Sequence, residues 1–276
     1  MSHETIADTD DFTIFEHQGW ERACAGYEAH FGRLTRQSAT ALLDAAQVTG
    51  GQRVLDACCG PGMVTAAAAA RGADALGLDF SAATVELATR LVPQASFHHG
   101  DAQALPFDDA QFDAVVCGFG IIHLAQPRTA LAEIYRVLKP GGRVAISVWQ
   151  APGPGNGFGL LYGTITAHAN MNLPLPEGPD FFQFSGPGAL ERALAEHGFR
   201  EPSTIGVDQV WEFDRETGLV DAFLEGAVRA RGLIMAQSEA VRGAIVAGVA
   251  DGMQVFRATD GIYRLPMPAL VGSGLK

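Results

Sequence analysis

Short apolar runs alternate regularly with helical patterns between residues 53 and 149. Val54 and Leu55 open a strand over 53–58, and the alanine-rich stretch that follows reads as a helix over 63–71. A second strand covers 74–79. Ser81 is placed to cap a helix that runs to about Leu91 and is broken by Pro93. Ala95 to His99 gives a short third strand and Phe112 to Cys117 a fourth. Pro127 opens a helix through about Leu138, and after the turn Lys139-Pro140-Gly141-Gly142 a fifth strand covers Arg143 to Trp149. Strand–helix repetition at this pitch predicts an α/β fold built on a parallel, doubly wound sheet with helices on both faces. Right-handed crossovers put the C-terminal ends of those strands on one edge, and Asp56, Asp79, Asp101 and Cys117-Gly118 all fall there.

The flanks are less regular. Residues 1–11 are polar and acidic and read as unstructured, unlike a signal peptide. Phe12 to His30 carries aromatic residues at irregular, partly helical spacing, and Gln37 to Val48 is an amphipathic helix ended by Gly50-Gly51. This N-terminal helical arm, residues 1–50, is expected to lie across the sheet edge. Trp20 and Tyr27 then either line a pocket or simply pack the arm. A core follows over 51–150, and from Ala151 the texture changes. Residues 151–159 are rich in Pro and Gly, 160–169 and 188–197 read as helices, and 170–187 as loop. A sixth strand is expected over 204–213, helices over 216–227 and 233–249, and a last strand over 262–271.

The stretch Asp56-Ala57-Cys58-Cys59-Gly60-Pro61-Gly62 carries the clearest chemistry. Strand, glycine turn, helix brings main chain close to a ligand, because glycine has no Cβ to block the approach. The helix N-terminus then offers free amides. Two details select the ligand. A dinucleotide fingerprint needs a third glycine, and Thr65 stands at that place. Asp56, just before the turn, repels a pyrophosphate but suits a ligand with an amino group. Asp79 ends the second strand, where an acid holds ribose hydroxyls. Acid, glycine turn and second acid fit S-adenosylmethionine better than NAD.

These segments resemble the class I S-adenosylmethionine-dependent methyltransferases, with the strongest likeness to the small-molecule branch that includes the ubiquinone and menaquinone biosynthesis enzymes. The resemblance rests on Val54 to Gly62, Gly77-Leu78-Asp79-Phe80-Ser81, Gly100 to Phe107, Phe112 to Val116 and Arg136 to Arg143. It covers residues 30–150 well and the rest poorly. It implies a Rossmann-like sheet of seven strands, the last antiparallel, and S-adenosylmethionine as cofactor with S-adenosylhomocysteine as product. It implies that Asp56, Cys58, Gly60 and Gly62 surround the methionine part and that Asp79 chelates the ribose. Phe80 would lie against adenine, Asp101 and Ala102 would bond its edge, and Cys117 and Gly118 would face the methionyl end. Tyr27 and Thr35 of the arm join this cofactor-binding set. Between strands 6 and 7 the chain departs from the minimal fold through a helical insertion, 214–258. That insertion and the lid segment, within 151–276, are expected to form the acceptor pocket.

Methyl transfer needs collinear positioning and exclusion of water, and a base only where the acceptor must lose a proton. His123, just after the fourth strand, is the candidate for that base; orienting the acceptor or packing the turn are its other readings. His98 and His99 lack a third ligand spaced to form a metal site. Phe181, Phe182 and Phe184 cluster in the lid segment. The formal charge of −12 argues against nonspecific nucleic-acid binding. No apolar run reaches the length of a membrane span, so a cytoplasmic protein acting on a small molecule is expected, with a homodimer left open. The four cysteines show neither a disulfide framework nor paired metal spacing; Cys58 and Cys59 read as small residues packing a turn. The competing readings are a protein of the same fold that binds the cofactor for other work, and a nicotinamide-dependent oxidoreductase.

Overall fold

Asp10 starts the first helix, its side chain accepting a hydrogen bond from the Thr13 amide at 2.7 Å. The computed structural model describes residues 10–276; the reading of residues 1–9 lies outside them. Helix α1 runs unbroken over Asp11–Thr35, so structure begins within the stretch expected to have none. A 3-10 turn leads into α2, Ala39–Ala45.

The core follows the sequence pattern. β1 is Arg53–Ala57, α3 Met63–Ala70, β2 Asp74–Asp79, α4 Ala82–Leu91, β3 Ser96–His99, β4 Phe112–Gly118, α5 Pro127–Val137 and β5 Leu138–Trp149. Ser81 caps α4 by accepting from the Thr84 amide at 3.1 Å. The expected turn at 139–142 is taken up in the start of β5, where the register against β4 shifts between Phe112 and Ala114. Beyond β5 come α6 Gly157–His168, α7 Ala189–Glu196, β6 Arg200–Val207, β7 Val210–Phe213, α8 Gly218–Gly226, α9 Arg229–Met235, α10 Glu239–Met253, β8 Tyr263–Pro266 and β9 Ala269–Leu275.

Seven strands form the main sheet in the order β3-β2-β1-β4-β5-β9-β6. β9 is antiparallel to both of its neighbours, and the other pairs are parallel. Side chains alternate between the two faces. Val54 and Val116 pack with Leu42, Leu43 and Ala68 on one side; Leu55 and Val115 pack with Leu131 and Ile134 on the other. Each such fully buried side chain is worth about 1.5–3 kcal/mol.

Two expected strands each break in two. The run 204–213 divides into β6 and β7, and 262–271 into β8 and β9; β7 and β8 pair antiparallel in a separate small sheet. The reason lies at the bends. Pro266 and Pro268 have no amide for a continuous ladder. The Met267 amide bonds instead to the Gln209 carbonyl at 2.8 Å, and the Gln209 side chain donates to the Leu34 carbonyl at 2.8 Å. The expected helix 233–249 likewise divides into α9 and α10, because Ser238 caps α10 by accepting from the Val241 amide.

The helices between β7 and β8 dock on the arm through small residues. Gly19, Ala23 and Gly26 lie three to four positions apart on α1. A Cβ at Gly19 would overlap Val228, and one at Gly26 would overlap the Glu225 carbonyl. Close approach here seats the segment before α9 directly on the arm.

Candidate active site

The strand ends form a cleft with about 970 Å³ of atom-free space, part of it open to solvent. Its floor is the turn after β1. Cys58, Gly60 and Gly62 are all left-handed, with φ of +59°, +54° and +87°. Gly62 needs to be glycine twice over, since a Cβ would also stand 2.8 Å from the Phe97 ring. It caps α3 from behind the cleft wall. Cys117 is buried there too, and it and Cys58 are free cysteines whose thiols face one another closely enough for a hydrogen bond. That bond, and burial, push the Cys58 thiol well above its ordinary value, and burial does the same at Cys59. Both therefore stay as thiols rather than reactive thiolates.

Asp56 is 2% exposed. Thr65, at the position where a third glycine would stand, donates its hydroxyl to Asp56 Oδ2 at 2.6 Å. Among the described residues nothing donates to Oδ1, which is buried. Burial pushes this carboxyl up to about 7, against the pull of Thr65 and with some help from the charge of Asp79. A buried acceptor with no donor fits an ammonium group, as S-adenosylmethionine carries on its methionine part. Asp79 accepts from the Gly60 amide at 2.9 Å and the Ser81 amide at 3.0 Å, which hold its carboxylate rigid at the end of β2. Burial raises it above the usual carboxylate range even so. Its remaining lone pairs fit two hydroxyl donors.

The far wall is formed after β2 and β3. The Phe80 carbonyl lies 2.9 Å from His99 Nε2, and the Phe80 ring meets His17 edge-on. Asp101 and Ala102 line the same end. The Gln103 main-chain amide donates to Asp101 Oδ1 at 2.8 Å, and its side-chain nitrogen donates to Oδ1 at 3.2 Å and Oδ2 at 3.1 Å. Gly118 lines the cleft at the end of β4, with Tyr27 and Thr35 lining it from the arm. Burial pushes the Tyr27 phenol up to about 12. His98 packs edge-on against Phe107.

His123 closes the cleft in the 3-10 turn Ile121–His123. Its neighbours were not legible in the sequence. Trp20 and Phe181 meet the imidazole edge-on, at 4.8 and 5.4 Å between ring centres. Glu16 of α1 and Arg229 of α9 stand behind it as an ion pair at 2.8 Å. Glu16 lies four residues before Trp20, a spacing that puts both on one face of a helix; nothing in the sequence marks Arg229. The cleft wall itself is drawn from residues 20–124, and the inserted helices approach it through Arg229.

One calorimetric titration tests both acids. With Asp56 protonated below about 7, a bound cation returns it to carboxylate, so S-adenosylhomocysteine binding at about pH 6.5 is expected to release a proton. Buffers of different ionisation enthalpy read that release, and Asp56→Asn should abolish it. Asp79→Ala should weaken binding by about 1.5–3 kcal/mol. Binding without proton release, or unchanged affinity in Asp79→Ala, would remove these residues from the cofactor site.

Comparisons with known proteins bear on the family. A family model described as a methyltransferase domain matches residues 55–146. A demethylmenaquinone methyltransferase of Thermus thermophilus is 34% identical over 185 residues, 59% of this chain and 83% of that one. One from Renibacterium salmoninarum is 41% identical over 140 residues, 51% of this chain and 57% of that one. Several such relatives are matched over only about half of their own length, at 57%, 43% and 47%. Among solved structures, Haemonchus contortus phosphoethanolamine N-methyltransferase 2 superposes with a TM-score of 0.57 at 18% identity, over 96% of this chain and 60% of that one. That likeness concerns the fold alone.

Proposed function

Because the chain belongs to the class I S-adenosylmethionine-dependent methyltransferases, we propose that it transfers a methyl group to a small molecule with an apolar body and a proton to lose. One observation supports this reading above others. The cleft is lined both by Asp56, with its buried, donorless oxygen, and by the His123 imidazole, which is backed by a carboxylate. When bound, S-adenosylmethionine supplies an electrophilic methyl: the acceptor atom bonds to that carbon, the carbon–sulfur bond breaks with its electron pair going to sulfur, and one acceptor proton remains to be removed.

In this reading Asp56 holds the cofactor's ammonium, and the turn at Cys58, Gly60 and Gly62 shapes the methionyl pocket above Cys117 and Gly118. Asp79 holds the ribose, and Phe80, Asp101 and Ala102 hold adenine. Tyr27 and Thr35 close the arm side. His123 takes the acceptor's proton, while Trp20, Phe119 and Leu124 give the acceptor an apolar seat and exclude water. A hydroxyl or acidic carbon is therefore a better acceptor than an amine. The lid segment and inserted helices, 151–187 and 214–258, confine the acceptor from above. Net charge of −12 favours a small neutral partner over nucleic acid. Among the described residues no helix is long and apolar enough to cross a membrane.

The test is to incubate the protein with methyl-labelled S-adenosylmethionine and a panel of hydroxylated aromatics, quinols, aliphatic alcohols and amines. Label transfer should favour the aromatic hydroxyl and quinol compounds, with S-adenosylhomocysteine released in equal amount. Tight cofactor binding with no transfer to the panel or to fractionated metabolites would favour the non-transferase reading. Preferential binding of NADH would overturn both.

A further inference from the structure

Glu16 is 1% exposed, and both of its oxygens are engaged. Oε2 lies 3.1 Å from His123 Nδ1 and accepts from the Trp20 indole at 3.1 Å; Oε1 accepts from Arg229 Nε at 2.8 Å. Arg229 is itself fixed. Its other nitrogens donate to the Pro179 carbonyl at 2.8 Å and the Ile122 carbonyl at 3.0 Å, and it lies over the Phe12 ring at 4.5 Å. Three elements far apart in the chain thus meet at one carboxyl group: the arm, the turn after β4 and the insertion.

Burial pushes the Glu16 carboxyl up, but the hydrogen bond from His123 and the charges of His123 and Arg229 together outweigh it and hold the group below its ordinary value. Glu16 is therefore an acceptor-only carboxylate at neutral pH. The other titratable group in this corner, Tyr162 of α6, is pushed up to about 12 by burial and stays a neutral phenol. A carboxylate facing one ring nitrogen places the neutral imidazole's proton there and leaves the second nitrogen with its lone pair.

We propose that Glu16, held in turn by Arg229, is the positioning residue that locks His123 as the Nδ1–H tautomer and leaves Nε2 as the proton acceptor of the cleft. This rests on the reading above only for what Nε2 takes up. Glu16 touches neither cofactor nor acceptor; it acts through the imidazole. The insertion, through Arg229, then does more than cover the cleft, because it sets the charge and orientation of the group behind the base.

An amide cannot replace this carboxylate. In Glu16→Gln the single oxygen turns to the stronger, charged donor Arg229. The amide nitrogen then faces Nδ1 and forces the proton to Nε2, the tautomer that cannot accept one. The experiment is long-range proton–nitrogen NMR on protein with labelled histidine, with His123 signals identified by their loss in His123→Asn. Wild type at a pH where the imidazole is neutral should show a protonated Nδ1 and a bare Nε2. Glu16→Gln should invert the pattern, and Glu16→Asp, which keeps the charge, should retain it. In turnover with any acceptor found, Glu16→Gln should lower kcat by about 10²–10⁴ with KM little changed. A wild-type His123 protonated on Nε2 overturns the proposal, even if no variant folds; so does an unchanged tautomer in Glu16→Gln. The tautomer is read without an acceptor, so a failure of the methyl-transfer reading leaves this measurement standing, and the reverse holds too.

Discussion

Replacing His123 with alanine is expected to lower turnover by about 10²–10⁴, the usual range for a lost general base. The imidazole lines the cleft, and its hydrogen bond is to Glu16 rather than to any of the acids assigned to the cofactor. S-adenosylhomocysteine affinity should therefore barely change. Three measurements on the same variant separate the roles His123 could have. Loss in kcat with constant KM marks a base, because the missing interaction then belongs to the transition state alone. Loss mainly through KM marks a residue that only orients the acceptor. Joint loss of thermal stability and cofactor binding marks a packing role, which the contacts with Trp20 and Phe181 also allow. Full turnover in a folded His123→Ala protein would leave the reaction to proximity and water exclusion alone.

Arg229→Met is expected to destabilise the fold by about 3–5 kcal/mol, because it removes one partner of a buried ion pair and leaves the other charged. Glu16 would keep only the Trp20 and His123 donors, and the Pro179 and Ile122 carbonyls would lose theirs. Methionine keeps much of the apolar stem but not the guanidinium that lies over Phe12 and Phe181, so the loss is chiefly one of charge, hydrogen bonds and cation–π contact. Urea unfolding should show a lower midpoint with an unchanged slope. The double variant Glu16→Leu with Arg229→Met should recover much of the loss, since removing a buried pair together is often close to neutral. If the double variant is as unstable as the sum of the two singles, the pair does not couple and the network is only a set of separate contacts.

The core was legible because its signals are local. The turn from Cys58 to Gly62 needs left-handed backbone wherever it occurs, and Ser81 caps its helix through an amide three residues away. The arm was less legible for a physical reason. Helix α1 is buried on more than one face: Glu16, Trp20 and Tyr27 face the cleft and its base, while Gly19, Ala23 and Gly26 face the insertion. A helix buried on two sides loses the single apolar stripe that identifies an amphipathic one. The divided strands were hidden differently. β6 with β7, and β8 with β9, each read as one apolar run, whereas Pro266, Pro268 and the pairing of Gln209 with Met267 divide them between two sheets.

By itself the sequence determined the order of strands and helices between residues 53 and 149, the edge on which those strands end, and the three acids that stand there. Hydrophobic period, glycine placement and crossover handedness are properties of neighbouring residues and follow without knowledge of the whole. Only the tertiary structure decided what stands behind His123. Glu16 is 107 residues away from it in the chain and Arg229 is 213 away from Glu16. No local rule joins residues so distant. They meet because the arm and the insertion pack on one another across the cleft, and burying a carboxylate there requires donors that only distant elements supply.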